Sequence, residues 1–336
     1  MIDGAHLVGS VPLADAETVL RTVSQAVGDR LERIPDGETG RRKDWIAWQY
    51  AVLAGTPGLR PIEPGQRGYL RPQLVGRVDP GSPPPAFGPL GYADAAVASF
   101  DLFERLQREG AVPARLRFQV SLPTPLAPVT VFVAPGDRAS VEPPYQARLL
   151  EELRQIASAI PHHRLAVQWD VAVEVGLLEG VWPAHFPDVE SGVLERLGRL
   201  AAAVPAQAQL GFHLCYGDFG HRHFTSPADA GTLVRLANAI AGGPRAPDWI
   251  HLPVPLGWAS PAPYAPLAGL ALAATTRLHL GLIHLSDGLE GARRRVALAG
   301  AHLARFGVAT ECGWGRRPPA EVPALLELHA ALARGG

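Results

Sequence analysis

The stretch Leu210-Gly-Phe-His-Leu-Cys-Tyr-Gly-Asp218 is a short apolar run that ends in polar and reactive side chains. Such a run is typical of a buried β-strand, and an extended backbone would place His213 and Cys215 on the same side, two residues apart. Cys312, the other of the two cysteines in the chain, also closes an apolar run, at residues 307–312. A His-x-Cys pair with a distant cysteine suits a zinc ion that keeps one coordination position open. The sequence therefore predicts a metal site at the ends of two strands.

The same rhythm of an apolar run followed by a helix-like segment continues on both sides of this stretch. Eight such runs are found, each followed by a segment in which apolar residues have helical spacing,. Eight βα units in 336 residues is the count expected of a (β/α)8 TIM barrel. An open, doubly wound sheet is the alternative, but the Gly-x-Gly-x-x-Gly motif typical of its first turn is absent,. We therefore predict an α/β fold, a TIM barrel that forms a single domain over residues 1–336.

Three local predictions accompany this fold. Residues 56–92, rich in proline, glycine and arginine, interrupt the alternation and are expected to form an insertion after the second βα unit, with a lid-like hairpin. Residues 6–10 are expected to form the first strand. Residues 123–128 contain three prolines and are expected to form a loop, because proline cannot sustain a strand ladder.

Composition excludes several classes of partner. The formal net charge is −1, so no basic field attracts nucleic acid or an anionic membrane. No run of 18 or more apolar residues is present, and the N-terminus lacks the pattern of a signal peptide,. We expect a cytoplasmic protein that binds neither nucleic acid nor membrane, and the oligomeric state is left open.

In a TIM barrel, the active site is built at the C-terminal ends of the strands. Polar or reactive side chains stand at the predicted strand ends, namely Ser10, Asp36, Glu38, Thr124, Asp170, His213, Cys215, His251, His284 and Cys312. Their convergence on one end of the barrel predicts a functional site there.

Each of these side chains also has an interpretation without function. A lone cysteine is most often a small buried hydrophobe, and His251 or His284 could be a hydrogen-bonded core histidine. Asp36 could serve a turn or cap the next helix instead of binding substrate. Asp170 ends an apolar strand, so its carboxylate needs a ligand or an arginine as its partner.

Four motifs resemble those of a known family. They are Val8-Gly-Ser-Val-Pro12, Asp36-Gly-Glu38, His213-Leu-Cys215 and Cys312-Gly-Trp-Gly-Arg-Arg317. The chain resembles the catalytic barrel of cobalamin-independent methionine synthase, within the group of uroporphyrinogen decarboxylase and methionine synthase-like barrels. The resemblance extends over nearly the whole chain.

The resemblance implies roles for individual residues. His213, Cys215 and Cys312 would hold a catalytic zinc. Ser10, Glu38 and Asp170 would lie where the family holds the amino-acid part of its thiol substrate, and His284 near a histidine that assists the transfer. The family's fourth ligand, a glutamate at the end of the sixth strand, is absent here, and His251 or an exogenous ligand could replace it. The family's N-terminal half, which helps to hold a long folate donor, has no counterpart in these residues.

We therefore expect zinc-dependent transfer of a methyl group, or another alkyl group, to a thiol. The partners would be a small-molecule thiol and a methyl donor, either a folate or another methylated compound. His284 or His251 could supply a proton to the leaving group. One alternative is a metal-free decarboxylase-like lyase that binds a carboxylated substrate through Arg317 and other arginines. The other is a ligand-binding barrel that has lost the chemistry.

Overall fold

The computed structural model describes residues 1–62, 74–79, 81, 83–220 and 222–333. Eight strands form one parallel sheet, and we number all strands in chain order. The sheet strands are β1 (Ile2–Ala5), β2 (Arg33–Pro35), β5 (Arg117–Pro123), β6 (Leu165–Val171), β7 (Gln209–Leu214), β8 (Trp249–Pro253), β9 (Arg277–Ile283) and β10 (Phe306–Thr310). Two further strands, β3 (Leu59–Ile62) and β4 (Leu74–Arg77), form an antiparallel hairpin.

The order of the strands brings the first two to the two ends of the sheet. The order is β1-β10-β9-β8-β7-β6-β5-β2. Among the described residues no strand ladder joins β1 to β2, but the backbone N–H of Val11 donates to the Gly37 carbonyl over 2.8 Å. The segments that follow β1 and β2 therefore touch, as they do when a sheet curls round on itself. The α/β fold is confirmed, and the curled parallel sheet is consistent with a TIM-like barrel.

Helices follow the strands and cover the outside of the sheet. They are α1 (Ala16–Val27), α2 (Gln49–Ala54), α3 (Tyr92–Arg108), α4 (Leu126–Phe132), α5 (Arg138–Ala159), α6 (Val173–Leu178), α7 (Val189–Ala203), α8 (Gly231–Ala241), α9 (Gly288–Gly300) and α10 (Val322–Ala333). A 3-10 helix, Ala262–Gly269, takes the place of an α-helix between β8 and β9. None of the helices in the described ranges is both long and apolar enough to cross a membrane.

The local sequence explains both a typical helix and a typical strand. Helix α1 begins after Asp15, whose side chain accepts a hydrogen bond from the Thr18 backbone N–H,. Its buried residues, Val19, Leu20, Val23 and Val27, recur at helical spacing and form one apolar face,. Strand β6 is buried over all seven of its residues, as expected of a strand covered on both faces.

The first strand begins and ends earlier than the sequence predicts. Strand β1 ends at Ala5, so the prediction of a strand at residues 6–10 is wrong. The backbone of this segment is satisfied by side chains instead of a ladder, because the Val8 carbonyl accepts hydrogen bonds from Gln119 at 2.8 Å and Gln168 at 2.7 Å. The segment therefore leaves the sheet after Ala5 while its apolar residues remain buried.

The predicted loop at residues 123–128 is also wrong in part, because α4 begins at Leu126. Pro125 immediately precedes the helix and Pro128 lies in its first turn. The first N–H groups of a helix have no intrahelical partner, so a proline there removes no hydrogen bond. Proline therefore excludes neither the last residue of a strand, as at Pro123 in β5, nor the start of a helix.

The predicted insertion at residues 56–92 contains the β3–β4 hairpin. Residues 63–73, 80 and 82 of it lie outside the described residues. The Val75 carbonyl in β4 accepts a hydrogen bond from the Ala134 N–H over 2.9 Å. The hairpin thus packs beside the C-terminal end of α4.

Candidate metal centre

Three of the predicted metal ligands converge at the C-terminal end of the sheet. His213 lies in β7, Cys215 follows that strand directly, and Cys312 follows β10. Their ligand atoms all lie within 4.8 Å of one another, and the two sulfur atoms are 3.8 Å apart. Two thiolates bound to a tetrahedral zinc, each with a Zn–S bond of about 2.3 Å, have their sulfurs about 3.8 Å apart. The sulfur spacing therefore fits a zinc ion.

The ring of His213 offers one nitrogen to this group. Its Nδ1 lies 2.8 Å from Nδ1 of His251. Its Nε2 is buried and has no hydrogen-bond partner among the described residues. Burial and the neighbouring His251 hold the pKa of His213 well below its usual value. A neutral imidazole with one nitrogen free of hydrogen bonds is what a metal ligand requires.

The protonation of the cysteine thiols would also depend on whether a metal ion is bound. The contact with Cys312 and burial raise the pKa of the Cys215 thiol. A cation at the site would reverse this effect, since a thiol that coordinates a metal ion loses its proton. The Gly217 backbone N–H also points at the Cys215 sulfur, at 3.2 Å.

The loop that carries Cys312 is held by a set of close contacts. The Thr310 hydroxyl donates to the Cys312 carbonyl over 2.8 Å and accepts from the Trp314 indole over 2.7 Å. The Gly315 N–H donates to the Ser10 hydroxyl oxygen. A Cβ atom at Gly313 would lie 2.4 Å from that oxygen, so the Cys-Gly-Trp-Gly motif is required for the close approach of the two loops.

A cavity of about 250 Å³ opens beside the three ligands. Its wall combines them with acidic, basic and aromatic side chains, which include Ser10, Glu38, Trp45, Phe132, Asp170, Trp182, Phe219, Phe224 and Arg316. Six of the ten predicted site residues line it, namely Ser10, Glu38, Asp170, His213, Cys215 and Cys312. The structure thus brings most of the predicted site residues together around one cavity.

Glu38 and Asp170 form an acidic pair in this wall. Burial, and then the nearby Asp170, raise the pKa of Glu38 well above its usual value. Burial raises the pKa of Asp170 to about 7, against weaker opposing effects of Gln168 and Trp45. Two carboxyl groups in one buried site cannot both ionise easily, so the pair favours a shared proton or a cationic ligand.

Backbone strain is concentrated at the same wall. Glu38 and Trp45, with φ of 48° and 47°, are the non-glycine residues with positive φ in the described ranges. Both line the cavity. Residues in this conformation cost free energy and tend to occur at functional sites.

Asp36 lies behind this wall and does not line the cavity. Its carboxylate accepts hydrogen bonds from the Glu38 backbone N–H at 2.8 Å, from Arg42 at 2.6 Å and from Ser99 at 2.6 Å. These contacts hold the strained turn that presents Glu38. In this structure Asp36 therefore supports the turn, which was the alternative to substrate binding.

Three more of the predicted catalytic and binding residues also lie off the cavity wall, namely His251, His284 and Arg317. His284 contacts the Val254 carbonyl through Nε2 at 2.8 Å and Glu311 through Nδ1 at 3.2 Å. Arg317 forms an ion pair with Glu321 at 3.1 Å.

The neighbouring Arg316 faces the cavity in place of Arg317. Its Nε donates to the Asp218 carbonyl and its Nη1 to Asp44. The two arginines of the last motif, Arg316 and Arg317, indicated a positively charged side chain at this place. The sequence alone did not show which of the two faces the cavity.

Sequence reasoning also missed Glu311 and Trp45. Glu311 lies between two histidines, 3.2 Å from His284 and 3.1 Å from His223. Its position directly before Cys312 was the available signal. Trp45 gave no signal, because its role depends on an unusual backbone conformation.

The fold and the pocket together define an α/β protein of TIM-like architecture with a candidate metal centre at the C-terminal ends of its strands. No known protein-family profile matches the sequence, and no curated protein matches it.

Among solved structures, the fold is similar to that of the "Putative Vitamin-B12 Independent Methionine Synthase" from Listeria monocytogenes. The TM-score is 0.58, the sequence identity is 15%, and the match covers 99% of this chain and 97% of that one. The likeness to methionine synthase predicted from the motifs is therefore confirmed at the level of the fold.

Proposed function

We propose that this protein is a methionine synthase-like enzyme that uses zinc to transfer a methyl group, or another alkyl group, to a small-molecule thiol. One observation carries the proposal. A ring nitrogen of His213 lies within 4.8 Å of two cysteine sulfurs that are themselves 3.8 Å apart, and Nε2 of that ring is buried without a hydrogen-bond partner among the described residues. Three protein ligands and one open position are the pattern of a catalytic zinc site.

A zinc ion held by these residues would keep a thiol in the thiolate form, which is the nucleophile in alkyl transfer. The chain itself supplies the surroundings. The aromatic side chains of Trp45, Phe132 and Trp182 line the cavity and would help to exclude water from it. A low-dielectric wall strengthens every charge interaction inside it.

The acidic pair supports a thiol substrate that also carries a cationic group. Because burial disfavours ionisation of both Glu38 and Asp170, an ammonium group placed between them would offset that cost. The Ser10 hydroxyl lines the same cavity. These three residues are therefore proposed to orient the substrate.

The leaving group of the methyl donor must gain a proton. His284 is proposed to hold it, because its Nε2 faces the Val254 carbonyl, an acceptor only, while its Nδ1 faces the Glu311 carboxylate. Glu311 favours the protonated ring, but burial outweighs it and lowers the pKa of His284 below its usual value, so a proton held there would be given up readily,. His251 is a less suitable acid, because its hydrogen bonds involve no carboxylate that could stabilise a protonated ring.

The remaining parts of the proposal concern the fold and the setting. The barrel is proposed to be closed between β1 and β2, and the segment at residues 56–92 to act as a lid-like insertion. The enzyme is proposed to work in the cytoplasm, with a folate or another methylated compound as its donor.

A metal-free lyase that acts on a carboxylated substrate is the second candidate. Arg316 favours it, because its guanidinium faces the cavity and uses only Nε and Nη1 in the hydrogen bonds above. An arginine can bind a carboxylate through two parallel hydrogen bonds.

Metal analysis separates the two candidates. We expect about one zinc per chain in the purified wild type and loss of most of it in Cys215→Ser, because one of three ligands is removed. His162→Asn is the matched control, since His162 precedes β6 at the opposite end of the sheet. A wild type without zinc, or a Cys215→Ser variant with full zinc content, would contradict the proposal. Activity that survives a strong chelator would favour the lyase.

A further inference from the structure

His251 lies directly behind His213 and has both ring nitrogens in contact with polar atoms. Its Nδ1 is 2.8 Å from His213 Nδ1, and its Nε2 is 3.0 Å from the Thr310 carbonyl oxygen. The residue is fully buried in β8. It therefore connects a backbone carbonyl of β10 to a candidate metal ligand of β7.

The chemistry of these contacts fixes the position of two protons. A carbonyl oxygen only accepts, so the His251 nitrogen that faces Thr310 must carry a hydrogen. In a neutral imidazole the other nitrogen is then an acceptor. His213 must therefore donate from Nδ1, which leaves the lone pair of His213 on Nε2.

This assignment requires a neutral His251, and its surroundings satisfy that requirement. Its ring neighbours are histidines, with ring centroids 4.7 Å away for His213 and 5.9 Å away for His6. Its hydrogen bonds involve no carboxylate. A buried charge without a counter-charge is costly, so these neighbours favour the neutral ring.

A local irregularity of the sheet lies at Thr310, whose carbonyl contacts His251. The register between β10 and β9 shifts between Ala309 and Thr310. Such bulges re-aim backbone groups and often lie beside active sites. Gly281 of β9 permits the close approach, because a Cβ there would lie 2.7 Å from the Thr310 oxygen and 2.7 Å from the Glu311 Cα.

We propose that the Thr310 carbonyl, acting through His251, locks His213 in the Nδ1–H tautomer, so that its Nε2 lone pair is ready for the metal before any ion arrives. His251 is thus a positioning residue and not a fourth ligand or a proton donor. The inference rests on the metal site of the proposed function. Partners of this kind typically change metal affinity by about 10- to 100-fold.

The tautomer can be read without any activity assay. The full chain would be labelled with ¹⁵N-histidine, stripped of metal with a chelator, and studied at pH 7.5 by long-range ¹H–¹⁵N correlation. The His213 signals would be assigned by their loss in His213→Asn. We expect the pattern of an Nδ1–H ring with an unprotonated Nε2. An Nε2–H ring at His213 in the wild type would overturn the inference, whether or not any variant folds.

Two variants then test the role of His251. His251→Leu removes the acceptor, so we expect the Nδ1–H preference to disappear and zinc affinity, measured by competition with a chromophoric chelator, to fall about 10- to 100-fold. His251→Gln offers an amide oxygen to His213 and an amide N–H to Thr310. It should restore the Nδ1–H tautomer and give a zinc affinity within about threefold of the wild-type value. A His251→Leu protein with wild-type tautomer and wild-type affinity would also overturn the inference.

The outcomes separate this inference from the proposed function. A wild type with the Nδ1–H tautomer but no zinc affinity would refute the zinc enzyme while supporting the hydrogen-bond chain. A wild type that binds zinc tightly but shows an Nε2–H ring at His213 without metal would refute the hydrogen-bond chain while leaving the zinc site of the proposed function intact.

Discussion

Replacement of Asp170 by asparagine is expected to stabilise the folded protein near neutral pH. The pKa of Asp170 is raised by burial from 3.8 to about 7. The folded state therefore binds this proton more tightly than the unfolded state. Between pH 4 and pH 7 the stability contributed by this group falls as pH rises, and above pH 7 the full cost of the buried charge remains.

The magnitude follows from the size of that shift. About three pKa units correspond to about 4 kcal/mol. The substitution by asparagine cannot recover all of this free energy, because it changes the hydrogen bonds of the side chain. Its oxygen can accept the hydrogen bond from Gln168, which Asp170 accepts at 2.9 Å. Its amide group would meet the Trp45 side chain, a donor that now contacts the carboxylate, and an unsatisfied buried donor costs about 1–3 kcal/mol. The expected net gain is about 2 kcal/mol at pH 7.5.

Urea unfolding at pH 5 and pH 7.5 measures this prediction. The buried histidines are the same in both proteins, so the test is the difference between them: relative to the wild type, the stability of Asp170→Asn should improve by about 2–3 kcal/mol between the two pH values. Asp101→Asn is the control, because Asp101 is an exposed acid on α3 and should leave the pH dependence unchanged. An Asp170→Asn protein that is less stable than the wild type at pH 7.5, with the same pH dependence, would refute the reasoning.

Two further predictions concern the sheet and the cysteines. Gly211→Ala should cost about 1–3 kcal/mol in the free energy of unfolding, because its Cβ would lie 1.9 Å from the buried Trp249 ring. Gly257→Ala is the control, because no atom lies within 4 Å of its new Cβ, and it should change the free energy of unfolding by less than about 0.5 kcal/mol. Equal effects of the two substitutions in urea unfolding would contradict the packing argument. Hydrogen peroxide should join Cys215 and Cys312 in a disulfide in protein stripped of metal, because their sulfurs are 3.8 Å apart. The two thiols lose two hydrogen atoms and the peroxide becomes two waters, so mass spectrometry should show a loss of about 2 Da. Prior zinc loading should slow the reaction, and an unchanged mass after peroxide treatment would argue against this proximity.

The sequence predicted the sheet well because apolar runs and their polar ends are local signals. The run that ends in His213 and Cys215 is such a case, and β7 covers Gln209–Leu214. The ends of parallel strands meet at one edge, so the ligands could be grouped without knowledge of the loops.

The parts that sequence reasoning missed depend on contacts between distant segments. The apolar residues 6–10 suggested a strand, but the Val8 carbonyl is satisfied by glutamines of β5 and β6. His251 looked like a free strand-end histidine, yet both of its nitrogens are engaged by residues 38 and 59 positions away. The inward orientation of Arg316 depends in the same way on the remote Asp44 and Asp218. No periodicity within a segment reports such pairings.

The two cysteine-bearing segments follow β7 and β10, and two other strands, β8 and β9, lie between these in the sheet. Those inner strands contribute no ligand, but they provide His251 and Gly281 beneath the site. In the proposed zinc site, mutations in β8 and β9 would therefore change how strongly an ion is held while every coordinating atom stays the same. Among natural relatives of this protein, substitutions in the strands beneath the site could then change metal preference while the ligands themselves stay the same.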